Sequence, residues 1–190
     1  MTPLSLDQPW GRGFSATHSH AFGDGHAFPR TSGNVLPRGL GRSYGDVCVN
    51  DGGTLMHTFR RDRLLAFDDV QGLLTCEAGA SLADIAETML PRGWFLPVVP
   101  GTRFVTVGGA IANDVHGKNH HISGTFGRAV QSITLRRSDS GSHRLDAPNP
   151  LLAHTIGGLG LTGLIEDVTL QLSRVPGPGI VQETKLFGGK

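Results

Sequence analysis

An imidazole, an ammonium and an amide, at His116, Lys118 and Asn119, crowd the start of one short run, His116-Gly117-Lys118-Asn119-His120-His121. An imidazole titrates near neutral pH, so His116 could take a proton from an alcohol or donate a hydrogen bond to a bound ring. The Lys118 ammonium could balance an anion. Directly before them, Val107-Gly108-Gly109-Ala110-Ile111-Ala112-Asn113-Asp114 has almost no side-chain bulk. A flat or extended ligand could lie on such backbone directly, although read alone the stretch is explained by glycines packing a helix. A polar cluster pressed against small residues is costly unless it faces ligand or solvent.

A second candidate is Pro37-Arg38-Gly39-Leu40-Gly41-Arg42-Ser43-Tyr44-Gly45-Asp46. Glycines at 39, 41 and 45 let successive N–H groups converge on one concavity, the geometry that takes a phosphate. Arg42 adds charge and Ser43 a hydroxyl donor. The spacing is not that of the dinucleotide-binding fingerprint, no helix is expected after it, and the Lys-Ser/Thr of a P-loop is missing. By itself the segment suits a structural turn as well as a phosphate cradle. A third set, Gly157-Gly158-Leu159-Gly160-Leu161-Thr162-Gly163, precedes the last expected strand. With 28 glycines in 190 residues, roughly twice the usual ~7%, the three loops together point to a large phosphorylated ligand.

The elements that must hold these loops are partly readable. Ser81 with Asp84 makes an N-terminal cap, and Leu82, Ile85, Ala86 and Met89 form one apolar helical face that ends at Pro91 and Gly93. Leu64–Phe67 and Leu73–Glu77 read as strands about a turn, and Val130–Arg137 with Ser142–Leu145 as a hairpin. Trp94–Val99 reads as a short extended segment, and Val168, Leu170 and Leu172 alternate with Thr169 and Gln171 as a last half-buried strand. Strands outnumber helices without regular alternation, which predicts an α+β fold. Residues 1–34 form an irregular N-terminal segment whose His18, His20 and His26 read as loop histidines. Residues 35–174 form the domain, and residues 175–190 resemble a linker or the start of a further domain.

Lys plus Arg number 17 against 16 Asp plus Glu, so charge gives no argument for nucleic acid or an anionic membrane surface. No stretch has the apolar length of a membrane-spanning helix, the N-terminus does not read as a secretory signal, and Cys48 and Cys76 read as reduced thiols. The expected location is cytoplasmic.

The order GLGRSYGD, PGTRFVTVGGAIANDVHGKNHH, GTFG and GGLGLTG closely resembles the FAD-binding module of the PCMH-type, vanillyl-alcohol-oxidase flavoprotein superfamily. Within it, the HGKNHH block looks most like the decaprenylphosphoryl-β-D-ribose 2′-oxidase-like branch. The resemblance covers roughly Val35 to Arg174 and implies two small α/β subdomains with FAD extended between them. It implies that Pro37, Arg38, Gly39, Leu40, Gly41, Arg42, Ser43, Tyr44, Gly45, Asp46 and Val47 wrap the pyrophosphate through backbone amides. Gly101, Thr102, Thr106, Val107, Gly108 and Gly109 would line the cofactor. Asn113, Asp114, Val115 and His116 would lie near the flavin, and Ile165 at the adenine end.

Relatives with covalent flavin commonly carry a histidine where this chain has Ser43, which implies non-covalent FAD. His116 takes a catalytic or flavin-proximal place or a structural hydrogen bond. Lys118 would stabilise reduced flavin or bind substrate phosphate. Family members usually open with a regular βαβ unit, whereas residues 10–34 lack a helical period, so an incomplete first subdomain is expected. Members also continue into a substrate domain that caps the flavin, and residues after 174 offer none. The function implied is the FAD-binding domain of an oxidoreductase acting on an alcohol carbon of a sugar-like substrate of the polyprenyl-phosphoribose type, a small-molecule or lipid-linked sugar. The alternative is a non-catalytic FAD-binding module that needs a partner chain. Self-association is expected from an uncapped apolar cleft.

Overall fold

A computed structural model describes residues 8–13, 16–23, 33–138 and 140–185. His26 lies outside them, with residues 1–7, 14–15 and 24–32 of the N-terminal segment. Two sheets organise the chain. The larger is antiparallel, in the order β4 (Leu64–Asp68), β5 (Leu73–Glu77), β9 (Leu164–Gln171), β7 (Val130–Arg137), β8 (Gly141–Asp146). The smaller is parallel, in the order β1 (Ser19–Phe22), β3 (Thr54–His57), β2 (Val35–Arg38). A two-residue pair joins β6 (Trp94–Phe95) to β10 (Ser173–Arg174).

The larger sheet forms where apolar residues alternate. In β9, Val168 and Leu170 are buried while Thr169 and Gln171 are half-buried, and Val168 faces Ile133 on one side and Cys76 on the other. The expected β7–β8 hairpin is present, with Ile133 opposite Leu145. Against this sheet packs α1 (Leu82–Met89), where Leu82, Ile85, Ala86 and Met89 are buried. The Ser81 hydroxyl accepts from the Asp84 amide at 3.1 Å and donates to the Asp84 carboxylate at 2.7 Å, so the expected cap is in place. A 3-10 turn at Leu90–Arg92 follows and ends at Gly93 with φ of 78°, a left-handed stop that glycine adopts without strain. Phe126, Ile111 and Leu152 complete a continuous core; they come from the 3-10 turn Phe126–Ala129, α2 (Val107–Ala112) and α3 (Pro150–Thr155).

The smaller sheet departs from the sequence reading. Residues 19–22 form a strand where a loop is expected, and β3 is buried along all four residues without an apolar repeat. Both follow from pairing rather than composition. β3 is the central strand of a parallel sheet, so both its faces are covered and no alternation is required. The mixed α and β content, with antiparallel strands dominant, is the α+β architecture expected. Among the described residues no helix is long and apolar enough to cross a membrane.

A buried ion network joins the two halves. Glu77, 1% exposed, accepts from the Arg63 amide at 3.0 Å and from its guanidinium at 3.1 and 2.9 Å, with Arg61 at 3.4 Å. Burial alone would raise the Glu77 carboxyl, but the Arg63 bonds and the Arg61 charge hold it below the usual carboxylate range. Asp167, 3.8 Å from Arg61, is pushed upward by burial, which Arg61 only partly counters.

Candidate functional site

A cavity of about 470 Å³ opens between the sheets. Three backbone segments wall it, and each is positioned by something the sequence specifies. The first leaves β2 at Arg38, which is 4% exposed. Its guanidinium donates to the carbonyls of Cys48 and Gln8, closing residues 39–47 into a loop. Gly41 adopts φ of 65°, and a Cβ there would sit 2.5 Å from the Arg38 guanidinium. Gly39 lies against the second segment so closely that a Cβ would fall 2.3 Å from the Thr106 hydroxyl.

That hydroxyl caps α2 by accepting from the Gly109 amide at 3.1 Å. Gly108 has two duties. Its amide donates to the Ala78 carbonyl at 2.7 Å, packing α2 on the core, and it also lines the cavity. The helix-packing reading of this stretch and the ligand-facing one therefore both hold. A Cβ at Gly101 would meet only open space, so the bare backbone faces the cavity. The third segment supplies Thr155, Leu159, Gly160, Gly163 and Ile165.

Most of the expected site residues converge here. Pro37, Arg38, Gly39, Leu40, Gly41, Arg42, Ser43, Tyr44 and Val47 line the cavity, as do Gly101, Thr102, Thr106, Gly108, Gly109, Asn113, Val115 and Ile165. Six others do not. Gly45 and Asp46 sit in a turn whose Asp46 carbonyl accepts from Val49, and Val107 is wholly buried in the core. Asp114 turns its carboxylate to the Gly127 amide at 2.9 Å. His116 and Lys118 are exposed, one and three residues beyond Val115; the His116 ring lies 5.3 Å from that of His120.

Sequence reasoning passed over Trp10, Cys48, Thr58 and Val105 on the wall. A large aromatic beside Gly11 in a stretch with no periodicity is the signal that could have found Trp10. Cys48 and Cys76 are free, buried thiols. Burial raises both, Cys76 to about 12, while the Arg38 charge partly counters the rise at Cys48. Among the described residues no group of three His, Cys, Asp or Glu could hold a metal ion.

The electrostatics of the wall favour an anion. Among the described residues no Asp or Glu lines the cavity, whereas two arginines do. Arg42 is half-buried and donates through Nε to the Phe104 carbonyl at 3.3 Å. Its two terminal nitrogens have no acceptor among the described residues. Half-buried guanidinium N–H groups without acceptors are costly unless a ligand supplies them. Val47, Val115, Leu159 and Ile165 add apolar surface. A long diphosphate cofactor with two flat ring systems fits this donor set.

Comparison with known proteins agrees. The FAD binding domain family matches residues 26–145. Over 142 residues the chain is 43% identical to decaprenylphosphoryl-β-D-ribose oxidase of Mycolicibacterium smegmatis, covering 73% of this chain and 31% of that protein. It is 32% identical over 141 residues to L-gulonolactone oxidase of Mus musculus, covering 70% and 30%. Its fold matches alkyldihydroxyacetonephosphate synthase with a TM-score of 0.67 at 18% identity, over 75% of this chain and 27% of that one. The chain spans less than a third of the length of each of these proteins.

Proposed function

This chain belongs to the PCMH-type FAD-binding domain family, with FAD as its cofactor, and on that premise we propose that it is the cofactor-holding part of an oxidoreductase. The reaction proposed is oxidation of an alcohol carbon on a sugar-like substrate of the polyprenyl-phosphoribose type, with FAD held non-covalently. The observation that carries the cofactor site is a wall that, among the described residues, has no carboxylate and on which the terminal guanidinium nitrogens of Arg42 meet no acceptor. The substrate class is supported by the identity to the mycobacterial oxidase.

In this reading, backbone amides from Arg38 to Tyr44 hold the diphosphate as fixed dipoles, and Arg42 balances its charge. Gly101, Thr102, Thr106 and Gly109 bring bare backbone against the cofactor. Ile165 gives apolar surface to the adenine end, and Asn113 and Val115 flank the flavin. Bound flavin supplies a two-electron acceptor for substrate hydride. His116 and Lys118 lie just beyond the cavity wall, where an imidazole nitrogen of His116 accepts the hydroxyl proton and Lys118 balances an anionic group on substrate or cofactor. A second reading, a binding module that turns nothing over without a partner chain, is favoured by the exposure of both side chains. The proposal takes residues 35–174 as the FAD unit and includes a cytoplasmic location and a tendency to self-associate.

Mixing the purified chain with FAD, removing excess by gel filtration and recording the visible spectrum tests the cofactor site. Two retained flavin bands, released by acid precipitation, are expected; loss of all flavin on the column would overturn it. His116→Ala is expected to keep the flavin and abolish substrate-driven bleaching in the complete enzyme. Loss of flavin in that variant would move His116 into the binding wall.

A further inference from the structure

We propose that residues 8–13 form a strap over the cavity in which Trp10 is a positioning residue, fixing the Arg42 guanidinium against the diphosphate of the cofactor. The inference rests on the FAD reading above and adds to it a residue outside every glycine motif. Three hydrogen bonds and one buried residue define the strap. The Gln8 carbonyl accepts from Arg38 at 2.6 Å, Pro9 is buried, and the Arg12 amide donates to Pro9 at 3.1 Å. The Trp10 amide donates to the Ser43 carbonyl at 3.4 Å, next to Arg42 in the first glycine loop.

Trp10 itself lines the cavity and stays 41% exposed. Arg42 places its guanidinium carbon 4.6 Å from the indole centroid. The same group reaches the Phe104 carbonyl with Nε. The guanidinium is thus held on one side by an aromatic face and on another by the second glycine segment. Its terminal nitrogens are the part left for a ligand. A long arginine side chain loses several rotamers on binding an anion, and holding it beforehand removes that cost from the association. The indole face attracts the cation without offering a hydrogen-bond acceptor of its own, so the contact does not use Arg42 as a conventional donor.

Trp10→Ala, Trp10→Phe, Arg42→Ala and the Trp10→Ala/Arg42→Ala double variant, each in the full chain, test the assignment against FAD titration. Trp10→Ala is expected to weaken FAD about five- to ten-fold, mostly through faster release, with melting of the FAD-free protein unchanged. Trp10→Phe keeps an aromatic face and is expected to stay within about two-fold of the parent. The double variant is expected to match Arg42→Ala alone, because Trp10 acts through that guanidinium. Parent-like affinity in Trp10→Ala, additive losses in the double variant, or a fall in FAD-free melting that accounts for the loss would each overturn the strap while leaving the FAD site intact. A parent chain that binds no FAD overturns the underlying reading instead.

Discussion

The two sheets are stabilised by different means. Among the described residues, the five-stranded sheet with its helices shares a continuous core of 23 buried side chains. Among the described residues, the buried cluster at the three-stranded sheet comprises Ala21, Met56 and Leu164, of which Leu164 comes from β9 of its neighbour, and Leu55 of β3 is fully buried as well. Beside these it has main-chain pairing and a polar, aromatic stack. His20 Nδ1 lies 2.9 Å from His57 Nε2, and Phe22 stacks on His57 at 4.9 Å between centroids. The first glycine loop leaves this smaller half. A cofactor in the cavity therefore couples the two, and its binding energy should appear mainly in the smaller sheet.

Gly79→Ala attacks the joint between the halves and is expected to have the largest effect. Its Cβ would fall 2.0 Å from the Thr58 carbonyl and 2.5 Å from that of Arg61, on the connection from β3 to β4. Backbone cannot yield as a side-chain tip can, so a loss of about 3 kcal/mol or more is expected in urea unfolding. Glu77→Gln is expected to cost about 3 kcal/mol, because it leaves Arg61 and Arg63 without their buried counter-charge.

Acid has a defined sign here. The Glu77 carboxyl is held low, so its stabilisation is complete above its unfolded pKa and is lost as pH falls from about 5 toward 3. Asp167, held high by burial, works in the opposite direction over the same fall, since its protonation favours the folded state. Melting curves from pH 7 to 3 should flatten for Glu77→Gln relative to the parent. An unchanged slope would shift the acid sensitivity to other carboxylates.

Saturation with FAD at a hundred times its Kd should stabilise the closed site by about 2.7 kcal/mol. Hydrogen exchange should show that gain in residues 35–57 and much less in residues 164–171. Equal slowing across both sheets would contradict the contrast drawn above. Gly39→Ala is expected to have the smallest effect. Its new methyl displaces the Thr106 hydroxyl from its cap, and FAD affinity measured by fluorescence should fall roughly ten-fold, or about 1.4 kcal/mol.

The same contrast explains what could be read in the sequence. α1, the β7–β8 hairpin and β9 were legible because each buries one face and so carries a periodic pattern. β1 and β3 carry none, since Ser19–Phe22 pairs through its backbone and Thr54–His57 is covered on both faces. In the site, the glycine-rich loops marked all three walls, and the resemblance marked Ile165. It did not mark Trp10, whose place depends on contacts with Ser43 and Arg42 more than thirty residues away. Val107 and Asp114 were placed at the cofactor by motif alone, but the core takes the first side chain and the Gly127 amide the second.

At the start of β9, Leu164, Ile165 and Glu166 are buried in succession, where an ordinary half-exposed strand would alternate. Leu164 serves the small core, Ile165 the large core and the cavity floor, and Glu166 an ion pair with Arg136 at 2.7 Å. A slip of one residue would invert every side chain of this strand and spoil all three environments at once. Register here is proofread by two independent surfaces. Insertions or deletions should therefore be tolerated at the exposed β7–β8 tip and rejected in β9, so that a library of length variants would map the cavity floor without any ligand being added.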